Sequence, residues 1–316
     1  MSTSLDRKRE RIALAKIERI VEPTLEDFQQ ASEVCYTRFR YQRRLDSPAR
    51  FAAFQKMGVE LVVLRDTNHA MQCVGFLVPA ELELNGEILA WHYMFQVASR
   101  PAVAGAGGLL IRQIMQWYPA IFGMGITPDA EKLYKLFRWQ PFEGFWRAVH
   151  PIHLRRSLND YGNRIEKPWL LTALRLCSGL YDALSVPIEL ALSLGRSARP
   201  WAGECGKSAI LGTYLGLFRM GPLAAGDIGG IGRVFTQADI GSISQHAALW
   251  RVLRRRGSKL CEMLITNEQL RHSAILRGYV PLPLQVWCWD KQGVLARAIP
   301  VLRRRGMTFL DADKTV

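Results

Sequence analysis

The chain has 316 residues, 49% hydrophobic and 22% charged, with a formal net charge of +14. That balance suits a globular chain of about two domains and excludes an intrinsically disordered one. No uncharged apolar run reaches the ~18 residues of a membrane-spanning helix.

In chain order, Thr24–Tyr41 opens with a capping box, Thr24 to Asp27, and continues with apolar residues at helical spacing. Ser47–Met57 reads as a short helix, Val59–Leu64 as a strand, Asp66–Asn68 as a turn and Gln72–Pro79 as a strand. Asn85-Gly86 is a strong hairpin signal. It leads into Ile88–Ala98, a long apolar strand expected at the centre of a sheet. The glycine-rich turn Gly105–Gly108 precedes a helix over Leu109–Trp117. Ala120–Ile126 reads as a strand, Pro128–Phe137 as a helix and Phe142–Val149 as one strand. Pro168–Leu194 is apolar and helical, with Pro187 starting a second helix or making a kink. Ser197–Gly206 reads as a linker. Beyond it come a strand (Ile231–Thr236), a helix (Ile243–Arg256), a strand (Leu260–Thr266), a helix (Asn267–Arg277) and one strand (Val280–Trp289). The order helix, strand, helix, Gly-Tyr, strand at 243–289 echoes that at 109–149, so the chain reads as a diverged internal duplication.

The expected fold class is a mixed α/β sheet in two domains, 1–155 and 207–316, joined by a helical linker over 156–206. Six scattered cysteines form no Cys-x-x-Cys pair, and Met1–Lys16 is charged with no apolar signal core. A reducing cytoplasm is the compartment these features suit. The basic runs at 254–256 and 303–305 end helical patterns before a glycine, where arginines face the negative end of the helix dipole. They match no nucleic-acid reader motif, so nucleic acid is not an expected partner. His150 and His153 bracket a proline with no acidic partner placed beside them, and no metal is expected. Trp169–Leu194 carries charges only at Arg175, Asp182 and Glu189. It is expected to pack between the domains, with contact to a membrane surface as the lesser reading.

The most informative stretch is Trp91–Gly108. A buried strand ends near Val97, and glycines then precede a helix start. Glycines let the backbone approach a phosphate, and the free N–H groups of a helix start bind its charge. Val97 is followed by Ala102-Val103-Ala104-Gly105-Ala106-Gly107 and then Leu109-Leu110. Further on come Thr127, Ala130, Leu133-Tyr134 and Trp139. Over residues 20–150 this pattern resembles the GNAT N-acetyltransferase superfamily. That family carries Gln/Arg-x-x-Gly-x-Gly/Ala after its fourth strand, then Asn-x-x-Ala-x-x-Leu-Tyr-x-x-x-Gly-Phe. Ala102, Thr127 and Arg138 stand where the family has Gln/Arg, Asn and Gly. Arg100 or Arg112 is a candidate substitute phosphate partner.

The resemblance implies a fold, a cosubstrate and a site. Acetyl-CoA or another acyl-CoA would lie with its pyrophosphate on Ala102–Gly107 and Thr127, and its pantetheine along Phe95–Val97. Tyr134 would protonate the leaving thiolate, and a backbone N–H near Val97 would polarise the acyl oxygen. His92 on the central strand is the candidate general base; Glu81, Glu83 and Glu87 read as hairpin charges. In the second half Ala274 occupies the tyrosine position and no Gly-x-Gly turn precedes Ile243, so that domain reads as degenerate. The implied function is acyl-CoA-dependent N-acylation of an amine. The other reading is a non-catalytic module of the same fold that binds a metabolite or protein in the inter-domain cleft.

Overall fold

The structure, a computed structural model, describes residues 16–38, 48–103, 105–124, 128–161, 167–200, 215–228, 231–235 and 240–305. Its first half runs β1 (Lys16–Ile20), α1 (Leu25–Arg38), α2 (Pro48–Lys56), β2 (Glu60–Arg65), β3 (Met71–Leu84), β4 (Glu87–Ser99), α3 (Ala106–Trp117), β5 (Ala120–Met124), α4 (Pro128–Leu136), β6 (Gln140–Phe142) and β7 (Trp146–Pro151). Two helices follow, α5 (Leu154–Tyr161) and α6 (Pro168–Leu192). The second half runs β8 (Arg199–Pro200), β9 (Leu215–Met220), β10 (Leu223–Ile228), β11 (Ile231–Phe235), α7 (Ile243–Arg255), β12 (Leu260–Ile265), α8 (Glu268–Ile275), β13 (Val280–Pro283), β14 (Val286–Asp290) and α9 (Val294–Arg305).

These strands form two mixed sheets of seven, so the fold class is mixed α/β, as the alternation of helical and strand periods implies. The first has the order β1-β2-β3-β4-β5-β14-β6 and the second β13-β7-β12-β11-β10-β9-β8. Read from opposite ends, the two orders match, except that β14 and β7 have changed places. Each half thus lends one strand to the other's sheet. β14 pairs antiparallel with β5 and β6, from Val286↔Met124 to Asp290↔Ala120 on one side. β7 pairs antiparallel with β12 and β13.

This exchange corrects two expectations. Phe142–Val149 and Val280–Trp289 each read as one strand, but each is two strands in different sheets. The breaks lie at Glu143–Phe145 and Leu284–Gln285, where the crossing chains meet through Leu284 N–H donating to the Phe145 carbonyl at 2.9 Å. Gly144 makes the first turn with φ +82°, a left-handed conformation costly for a residue with a Cβ.

Core packing follows from the alternation along each strand. Val62, Leu64, Met94 and Ile121 face α3 and α4. Leu61, Val63 and Phe76 face α1 and α2. Trp91, Phe122 and Phe145 join Ala224, Phe235 and Leu264 of the second sheet and Leu295 of α9 in one shared core. The halves are therefore fused through strands and side chains alike.

Helix α6 departs from expectation. It is one continuous helix with Pro187 inside it. It rests on α5 and α7 rather than between the sheets. Its body-facing side is polar: Asp182 accepts from Leu154 N–H at 2.7 Å, and Glu189 pairs with Arg254 at 2.5 Å. Arg254 is thus an internal ion-pair partner.

Candidate active site

β4 and β5 run parallel and pair at two positions, His92↔Ile121 and Tyr93↔Phe122. β4 continues to Ser99 and stays paired with β3 on its other side. β5 instead stays with β14. The two central strands therefore part after Tyr93, and a wedge opens beside Phe95–Val97. A β-bulge at Phe76/Leu77 opposite Gln96/Met94 lies at this divergence and re-aims the side chains beyond it. Phe95 packs toward Phe54 and Phe76, at ring distances of 5.6 and 5.3 Å, on the α1–α2 side. Val97 packs on the α3 side.

The chain leaves β4 through Arg100–Val103 and enters α3 at Gly105. Gly105 is the N-cap, left-handed at φ +85°, and no side chain caps the helix. The first turn carries no acidic residue to answer the positive end of the dipole. A Cβ built at Gly105 or Gly107 would meet no atom within 4 Å, so the helix start faces open space. Ala106 N–H closes back on the Val103 carbonyl at 3.4 Å, and the helix start beyond it is of the kind that suits an anion. Ala102 is exposed and Ala106 buried beneath the turn. Ala104 and Thr127 lie outside the described residues. Arg100 is engaged elsewhere, donating to the Met71 carbonyl at 3.0 Å and lying 3.7 Å from Glu33. Arg112 is exposed on α3.

The equivalent helix start in the second half is closed. Ser242 caps α7 by accepting from Gln245 N–H, and the Gln245 side chain accepts from Ser242 N–H at 2.7 Å. The capping box satisfies the Ser242 and Gln245 N–H groups within the chain.

Tyr134 on α4 is buried and lies flat against Trp139, with centroids 4.3 Å apart and planes 8° apart. Trp287, from the exchanged strand β14, lies 6.3 Å away. Burial pushes the Tyr134 phenol well above its usual range, so it stays protonated at neutral pH. The turn after α4 places Arg138 at φ +60°, and Trp139 N–H donates to the Tyr134 carbonyl at 2.9 Å. The second half repeats this turn with Gly278 at φ +84° and Tyr279 N–H donating to the Ala274 carbonyl at 3.1 Å. Tyr134 and Ala274 are thus structural equivalents.

His92 sits at the last pairings before the wedge. Its ring packs on Tyr118 at 4.3 Å, and Nε2 lies 3.9 Å from Glu60. Glu60 in turn accepts two hydrogen bonds from Arg19, at 2.9 and 2.8 Å, and one from the Tyr118 hydroxyl. Burial raises the Glu60 pKa, but the bonds from Arg19 and Tyr118 outweigh it and hold the carboxylate ionised. Burial holds the His92 pKa below its usual value, against the pull of Glu60 and with help from Arg19. His92 is therefore a neutral imidazole at pH 7.

Val97, Ala106 and Tyr134 thus belong to one packed cluster on the α3–α4 side of the first sheet, and His92 lies at the last β4–β5 pairings. Sequence reasoning did not find the Arg19–Glu60–Tyr118 cluster or Trp287. Glu60 reads as a strand residue and Tyr118 as a helix end, and nothing local places Trp287 in the first sheet. Among the described residues, no group of three or more His, Cys, Asp or Glu is arranged to hold a metal. No described helix is long and apolar enough to cross a membrane.

No protein-family model matches the chain, and no curated protein matches it. Solved structures do. A provisionally assigned acetyltransferase of Pyrococcus horikoshii matches with a TM-score of 0.47 at 10% identity, over 88% of this chain and 89% of that one. An Enterococcus faecalis protein of unknown function, described as a probable N-acyltransferase, matches with a TM-score of 0.44 at 10% identity, over 89% and 74%. A GCN5-related N-acetyltransferase of Kribbella flavida matches with a TM-score of 0.41 at 12% identity, over 86% and 71%.

Proposed function

We propose that the first half binds an acyl-CoA in the wedge between β4 and β5 and transfers the acyl group to an amine. The observation that carries this reading is the wedge itself: two central parallel strands pair at two positions and part toward an uncapped, glycine-lined helix start.

An acyl-CoA, when bound, supplies a thioester-activated acyl group. The chain supplies the rest. The helix start at Gly105–Gly107 holds the pyrophosphate, with Ala102 and Val103 leading into it. The Phe95–Val97 stretch of β4, beyond its pairing with β5, holds the pantetheine arm by strand-like hydrogen bonds, and a backbone N–H near Val97 polarises the acyl oxygen. His92, kept neutral by burial, accepts the proton that the amine loses on attack. Tyr134, kept protonated by burial, gives its proton to the departing sulfur. The second half does not repeat this chemistry, since its helix start is capped and Ala274 replaces the tyrosine.

Calorimetry with acetyl-CoA and free CoA tests the reading, using Gly107→Glu. A glutamate in the first turn favours the helix dipole, so the variant should fold. It also puts a negative charge in the phosphate path, and affinity should fall at least about tenfold. Unchanged affinity in the folded variant overturns the assignment. The burial of Tyr134 against Trp139 favours a second reading, binding without transfer. That reading gains if acetyl-CoA binds but no amine is acylated.

A further inference from the structure

Helix α6 is amphipathic in the inverted sense. The side chains turned to the body are polar: Tyr181 donates to the Pro151 carbonyl at 2.9 Å, Arg254 donates to Ser185 at 2.9 Å, and Arg251 donates to Ser193 at 2.9 Å. Asp182 and Glu189, the only acidic residues of the helix, are both consumed by these contacts. The side chains turned away are apolar. Leu176 is 80% exposed and Leu180 65% exposed, and Leu184, Ile188 and Leu190 are at least half exposed. From Leu176 to Leu192 this outer face carries no charge and extends about 24 Å at 1.5 Å per residue. A soluble monomer rarely leaves a contiguous apolar strip of that size in water.

The rim of the strip is basic. Lys167 and Arg175 flank its start, Arg196 and Arg199 follow its end, and Arg155 and Arg156 stand exposed on the neighbouring α5. Trp169, 67% exposed beside Lys167, has the amphipathic ring that favours a membrane–water interface. A second copy of the chain on this face would oppose two basic rims, and the net charge of +14 adds to that repulsion. An anionic bilayer supplies the complementary charge together with an apolar layer.

We propose that α6 is a monotopic membrane-docking helix, lying in the interface of an anionic lipid surface with its Leu176–Leu192 face in the acyl boundary. The polar anchors on α5, α7 and Pro151 hold it rigidly to the body, so docking requires no refolding. The proposal is independent of the acyl-transfer reading.

Flotation of the full chain with vesicles tests it. The wild type should float with vesicles containing one-third phosphatidylglycerol in phosphatidylcholine, and less in high salt. Leu180→Glu/Leu184→Glu/Ile188→Glu should lower the partition coefficient about 100-fold with an unchanged thermal melt. Leu180→Ser/Leu184→Ser repeats the test without added charge and should lose about tenfold. Failure of the wild type to float with anionic vesicles overturns the proposal. So does undiminished flotation of both variants, or a wild-type dimer in sedimentation equilibrium that the triple variant dissociates.

Discussion

At the scale of single residues, Arg138 shows how a local conflict survives in a fold. The turn after α4 needs a left-handed residue, and the matching turn in the second half uses Gly278. Arg138 adopts the same conformation with a Cβ, at a cost of roughly 1 kcal/mol. Arg138→Gly should therefore raise the thermal midpoint by about 2 °C, read by calorimetry. In the proposed transfer Tyr134 is the general acid. Loss of a general acid to a thiolate slows departure without forbidding it, because a thiol pKa is only about 8.5. With an acceptor amine in hand, Tyr134→Phe should lower kcat by roughly 10²–10⁴-fold and leave acetyl-CoA affinity unchanged. The glycine turn and this tyrosine were legible because their signals are short-range. The Arg19–Glu60–Tyr118 cluster beneath His92 was not, because its members come from β1, β2 and the end of α3 and meet only in the folded sheet.

At the scale of elements, the exchanged strand β7 is fastened by His150. Its ring stacks on Trp250 of α7 at 3.6 Å, and its Nδ1–H donates to the Gly278 carbonyl at 2.9 Å. Burial lowers the His150 pKa to about 4. The unfolded chain takes up a proton near pH 6.5 that the folded chain refuses, so folding is progressively penalised as pH falls from 6.5 toward 4. At pH 5 the loss should be about 2 kcal/mol, read as a lower urea midpoint, and His150→Phe should flatten this slope. The crossover itself depends on Gly144. Its φ is left-handed, and a Cβ there would press on the Arg303 guanidinium, which would have to shift. Gly144→Ala should destabilise by about 1–2 kcal/mol in chemical denaturation. The hairpin at Asn85-Gly86 appears as expected because a turn signal is local. The division of Phe142–Val149 between two sheets does not, because a strand's alternation does not name its partner.

At the scale of the whole molecule, the two halves share strands, a core and ions. Glu262 on β12 is buried between Arg233 of β11 and Arg147 of the exchanged β7, each 2.7 Å away. Removing the central charge leaves the buried Arg233 and the part-exposed Arg147 without their shared carboxylate. Glu262→Gln should cost about 3–5 kcal/mol and lower a single thermal transition for the whole chain. Two separate transitions in the wild type would show the halves to be independent. Cutting within the linker read from sequence, 156–206, leaves the first sheet without β14 and the second without β7. Neither fragment should unfold cooperatively alone, while the co-expressed pair should reassemble.

The sequence by itself determined most helices and strands, the glycine-rich helix start, the repeated helix–strand–helix order and the place of Tyr134 on α4. Each of these is written in local spacing: hydrophobic period, capping residue, left-handed glycine. Only the tertiary structure decided that β7 and β14 change sheets, that β4 and β5 part at the wedge, and that α6 turns its polar side inward. Strand exchange is settled by hydrogen bonds between segments more than a hundred residues apart. The direction α6 faces goes with its partners: Asp182 accepts from the α5 helix start, and Glu189 pairs with Arg254.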